Sequence, residues 1–123
     1  MYLDIKHIEK VIYDKIKPII SDIFINNHPR SMQEQLKQFA LVRVGRIIYD
    51  KNAYKETTAF VDIYVRLKDS GVEDSDMVCK LSNDIADLFP FKDEYFSAIT
   101  PELTYGDLEG EFSRIMLRFK III

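Results

Sequence analysis

The alternation in "FSRIMLRFKII", Phe112 to Ile122, constrains the fold of this chain more than any other stretch. Ser113, Ile115, Leu117, Phe119 and Ile121 fall on one side of an extended backbone, and Phe112, Arg114, Met116, Arg118 and Lys120 fall on the other. A helix would scatter both sets around its circumference, so the segment reads as a strand with one side against a core. Its length and one-sided apolarity predict a central or near-central position in an antiparallel sheet covered on one face.

A second stretch alternates in the same way. From Thr57 to Lys68, Ala59, Val61, Ile63, Val65 and Leu67 share one face, with Thr58, Phe60, Asp62, Tyr64 and Arg66 opposite. The run Phe39 to Tyr49 precedes it across "DKNAYKE", whose Asp, Lys and Asn suit a turn, and the two predict an antiparallel hairpin. A short strand near Asp22 to Ile25 and another near Tyr95 to Thr100, reaching at most to Tyr105, complete the sheet. The polar stretch "NNHPRSMQEQLK" is an exposed loop, and Gly106 and Gly110 mark the turn into the last strand.

Two helices are expected. Ile5, Ile8, Ile12 and Ile16 recur at helical spacing after Asp4, a cap or first-turn acid, and Pro18 ends that helix. Asp74 or Ser75 caps a second, with Met77, Val78, Leu81, Ile85, Leu88 and Phe89 on one stripe and Pro90 as its stop. At 123 residues and 47% hydrophobic, the chain suits one core and is short for two. The expected fold class is therefore α+β: a mostly antiparallel β-sheet of four to five strands with two helices packed on one face, a single domain over residues 1–123.

The chemistry-bearing residues do not assemble into a catalytic pattern. His7 and His28 lie far apart and share no ligand spacing with Cys79. Cys79 lies beside the apolar stripe of the second helix, where a small half-buried residue is expected, and as the single cysteine it forms no internal disulfide. The acids Asp69, Glu73, Asp74 and Asp76 lack the alternation of a calcium loop and read as a solvated turn with a helix cap. With 4 glycines and no phosphate-cradling loop, the expectation is a protein without cofactor or metal, and not an enzyme. The charged N-terminal stretch is neither a signal peptide nor a membrane span. A net charge of -3 argues against a general nucleic-acid binder.

Charge distribution is more informative. Residues Asp93 to Glu111 hold Asp93, Glu94, Glu102, Asp107, Glu109 and Glu111 and no Lys or Arg. A separate basic sheet face would combine Arg43 or Arg46 with Arg66, Arg114, Arg118 and Lys120. Both are solvated surfaces on one reading; on the other, they meet between neighbouring copies, as in a head-to-tail ring. The loops Asn26 to Lys37 and Asp50 to Glu56, the latter with Tyr54 as an aromatic anchor, are further contact candidates.

The run "FALVRVGRIIYDKNAYKETTAFVDIYVRLKDSG", the helix "DSDMVCKLSNDIADLF" and the ending "ITPELTYGDLEGEFSRIMLRFKIII" resemble the tail-terminator, or tail-completion, proteins of tailed bacteriophages and prophages. The resemblance is one of element order and strand pattern over most of the chain. It implies a hexameric ring that caps the tail tube, ends its polymerisation and presents a surface to the head-completion or connector protein. Arg43, Arg66, Arg114, Arg118, Lys120, Tyr54, Glu102, Asp107 and Glu109 would lie at oligomer or tube interfaces, with DNA passing through the lumen without sequence-specific contact. It implies no membrane association, and a location in the bacterial cytoplasm during assembly and then in the virion. A head-tail connector or other neck ring protein shares much of the pattern. A small monomeric binding or immunity-type module is the rival from another class.

Overall fold

The structure, a computed structural model, describes residues 5–26, 36–46, 48–106 and 110–123. In chain order it contains α1 (Ile5–Ile16), β1 (Ile23–Ile25), β2 (Gln38–Val44), β3 (Tyr49–Asp50) and β4 (Lys55–Arg66). There follow α2 (Ser75–Ala86), β5 (Phe91–Lys92), β6 (Ser97–Ala98), β7 (Glu102–Tyr105) and β8 (Phe112–Ile122). The fold is α+β, with both helices on one face of a single sheet.

The long strands β4 and β8 form the sheet's centre, antiparallel and in register from Glu56 opposite Ile122 to Arg66 opposite Phe112. The full order is β1-β2-β4-β8-β6-β5, with β3 beside β4 and β7 beside β8. The sheet therefore has 8 strands rather than four to five, and it is mixed, because β1 runs parallel to β2.

The larger strand number has a local cause. The strand expected over Phe39 to Tyr49 leaves the β4 register after Gly45, whose amide donates to Thr58 O at 2.7 Å, and rejoins it at Tyr49 opposite Glu56. A Cβ at Gly45 would meet Thr57 Oγ1 at 2.7 Å, so only glycine lets the backbone turn away there. The strand expected near Tyr95 is divided too. Ile99 N donates to Lys120 O and Glu102 pairs with Arg118, so Thr100 and Pro101 together oppose Phe119. Two residues against one is a β-bulge, and Pro101, with no amide proton, belongs in it.

Ala59, Val61, Ile63 and Val65 of β4 and Ile115, Leu117, Phe119 and Ile121 of β8 are buried beneath the helices. Ile8, Ile12 and Ile16 of α1 and Val78, Leu81 and Ile85 of α2 are buried in the same cluster. Asp74 caps α2 by accepting from Met77 N at 3.3 Å. The helix ends at Ala86, short of Pro90, because Leu88 and Phe89 bond back to Ile85 O and Ala86 O in a tighter turn. Cys79 is exposed rather than half-buried. Next to Ile8 on α1, Glu9 is buried and its Oε1 lies 3.3 Å from Arg46 Nη1, which ties Arg46 to this helix rather than to the outer basic face.

That opposite face is not uniformly wet. Phe39, Leu41, Tyr64 and Phe112 are buried there under Leu36, forming a second small core. Phe39 stacks on Tyr64 with ring centroids 4.5 Å apart and meets Phe112 edge-on at 5.2 Å.

Candidate functional site

The sequence suggested a basic outer face, and the structure divides its cations into two groups. Arg43 and Arg114 are committed internally. Both reach Asp62, which is 1% exposed in the middle of β4: Arg43 Nε and Nη2 donate to its two oxygens at 3.0 and 3.3 Å, and Arg114 Nη2 lies 3.5 Å from Oδ2. Arg43 also covers the Phe60 ring at 4.6 Å. Arg66 is held likewise, with Nη1 2.6 Å from Glu111 Oε2 and Nε donating to Leu36 O. Arg66 lies over the Phe112 ring of the second core at 4.6 Å, and all three arginines turn their charge onto acids of the same chain.

Burial pushes the Asp62 carboxyl above its ordinary value of 3.8, and the two guanidiniums offset this only in part. The native state therefore binds a proton at Asp62 more readily than the unfolded chain does. The stability it contributes is full below pH 3.8 and is lost as pH rises through the elevated pKa. We expect the stability of the wild type relative to Asp62→Asn to increase as pH falls from neutrality through that raised pKa. Denaturant titrations at a series of pH values measure the difference, and a difference that falls with acidification would mean that the arginines dominate.

Arg118 and Lys120 form the second group. Among the described residues Arg118 makes no ion pair, and Lys120 approaches Glu56 only at 3.9 Å. They line an open groove of about 300 Å³ with Thr58, Ile99, Thr100, Glu102 and Phe119. The bulge at Thr100 and Pro101 builds this groove by lifting the edge strand off β8 between two paired stretches. The acidic and basic segments thus converge here: Glu102 stands opposite Arg118 in register rather than on a distant patch.

Past the groove, β7 ends the sheet. Gly106 N donates to Arg114 O, and by antiparallel alternation Thr104 and Glu102 also spend their backbone groups on β8. The amides and carbonyls of Leu103 and Tyr105 therefore point away from the sheet. Their side chains lie on the helix-bearing face, beside Leu117 and Ile115, yet they are 41% and 61% exposed. Neither helix reaches β7: α1 packs on β1 and β2, and α2 on β4 and β8.

Tyr54 is exposed at the tip of the β3–β4 hairpin. Asp50 Oδ1 accepts from Asn52 N there, and Asn52 takes a left-handed φ of 69°. Asp107 and Glu109 lie outside the described residues, as do His28 and most of the loop around it. Sequence reasoning missed the clasp between His7 Nε2 and Asp93 Oδ2, 2.8 Å apart, which ties α1 to the β5–β6 turn. Partial burial alone would raise the Asp93 carboxyl; hydrogen bonds from His7 and from the Tyr95 and Glu94 backbone together hold it below its ordinary value. No spacing rule in the sequence joins residues so far apart.

Among the described residues no three of His, Cys, Asp and Glu come together as metal ligands would, and no helix is long and apolar enough to cross a membrane. No protein-family model matches the chain, and no curated protein matches it.

Proposed function

We propose that this protein is a ring-forming structural component of a bacteriophage tail that caps the tail tube and ends its polymerisation, acting by contact rather than by catalysis. One observation carries the reading: β7 offers outward-pointing backbone groups and two uncovered apolar side chains, Leu103 and Tyr105, on a single edge. Monomeric proteins usually blunt such an edge with charge or cover it, because it is a template for another strand. A neighbouring copy that adds its own sheet edge there would satisfy both the hydrogen bonds and the apolar surface. The exposed Tyr49 and Tyr54, with Lys51 and Lys55, lie at the β3–β4 hairpin on the other side of β4, so the two surfaces are distinct, as a closed heterologous ring requires. The order of elements and the "VDIYV" strand support the same assignment, with the tube subunit and the head-completion or connector protein as further partners.

The test is Leu103→Lys. Because Leu103 is exposed, the substitution should change folding stability by no more than about 0.5 kcal/mol. It should also abolish the ring, or capture onto tube ends, as read by native mass spectrometry and sedimentation across concentration with and without tail-tube assemblies. A wild type that stays monomeric and ignores tubes at every concentration would overturn the proposal, as would a variant that assembles normally.

A further inference from the structure

Two concavities share a wall on the outer face, opposite the side that carries Leu103 and Tyr105. One is the groove holding Arg118 and Lys120. The other, about 370 Å³, is a mainly apolar socket lined by Pro90, Phe91, Lys92, Ser97 and Ile122, and Ile99 lines both. Ile99 is 41% exposed although it sits between them, so its side chain is open to anything that enters.

The charge here is unbalanced. Arg118 has no acidic partner among the described residues even though Glu102 stands across from it. Glu56, the acid nearest Lys120, is also held by Lys51 at 3.4 Å. Lys92 stands at the rim of the socket. Thr58 and Thr100 add hydroxyls to the groove. The surface thus joins an apolar hollow to a cationic one.

We propose that these joined concavities bind an extended acidic segment of a partner protein, with an apolar side chain in the socket and a carboxylate on Arg118 and Lys120. A guanidinium recognises a carboxylate through two parallel hydrogen bonds, and the ammonium beside it adds charge without demanding a fixed direction. Ile122, Lys120 and Arg118 alternate along one side of β8, so the two anchors lie about two to four residues apart on an extended ligand. A nucleic acid fits less well. Its run of phosphates would meet only the two cations of the groove, and the apolar socket beside them would go unused. The inference is independent of ring formation, which uses the edge and the helix-bearing face.

The experiment uses the full chain and amide NMR spectra. The probes are N-acetylated, C-amidated peptides in which one leucine and one glutamate are separated by an increasing number of serines. Saturable shifts confined to Ile99, Thr100, Arg118, Lys120 and their neighbours are expected for at least one spacing. Arg118→Gln, an exposed position, should leave the remaining spectrum intact and weaken that binding about tenfold. A glutamine in place of the peptide's glutamate should do the same. If no peptide of the series perturbs these resonances, or if Arg118→Gln binds as the wild type does, the proposal fails. An oligothymidylate that shifts the same resonances more tightly than any peptide would also overturn it and assign the groove to nucleic acid.

Discussion

Leu117→Asp should leave the chain without a folded state at neutral pH. Leu117 is fully buried on the core side of β8, opposite Val61 on β4 and Leu103 on β7. The substitution removes a large apolar side chain, which alone costs about 2–5 kcal/mol. It also places a carboxylate among the apolar side chains of the core, adding several kcal/mol more. Domains are stable by only about 5–15 kcal/mol, so the sum consumes most or all of it. Circular dichroism and a thermal melt read the result, and a cooperative melt at the wild-type temperature would mean that β8 is turned the other way. Arg118→Gln, the next outward-facing position, is the control and should melt within a few degrees of wild type.

Phe39→Ala should cost about 3–5 kcal/mol, although it lies on the face of the sheet away from α1 and α2. Phe39 is fully buried, stacked on Tyr64 and in edge contact with Phe24 and Phe112. Truncation would leave a cavity that three aromatic neighbours cannot close together. The measurement is the midpoint of denaturant unfolding at constant slope. A loss below about 1 kcal/mol would show that this cluster collapses easily and that the sheet in effect has one core.

These two substitutions mark the boundary of what the sequence makes legible. Alternation in β4 and β8 assigns their inner residues correctly, because a period of two leaves no freedom once one face is buried. The cap and stripe of α2 are equally local: of the two cap candidates Asp74 is the cap, and Met77, Val78, Leu81 and Ile85 lie on the helix, whereas Leu88 and Phe89 fall beyond its end. The outer face reads differently in sequence than in space. Its arginines suggest a wet surface, but a guanidinium on a long stem can lie over an aromatic cluster and still reach an acid. The available signal was Asp62, an acid within a strand of apolar and aromatic residues. A buried carboxylate needs cations beside it, and Arg43 and Arg114 are the cross-strand neighbours that supply them. The groove was less legible. It depends on the bulge opposite Phe119, and Pro101 could mark an interruption without saying which strand it faces. The uncovered side of β7 follows from where the two helices stop, which is a property of the packed molecule and of no single segment.

The central position of β8 also bears on synthesis. It lies between β4 and the β6–β7 edge, yet it follows both in the chain. While a ribosome is still making residues before Phe112, β4 has a free side along its whole length, β6 can pair only with the two residues of β5, and β7 has nothing to pair with. The nascent domain therefore cannot close progressively from its N-terminus. It closes in one late step when β8 inserts, and slow emergence of this last strand is the period in which the chain is most exposed to aggregation and most dependent on chaperones.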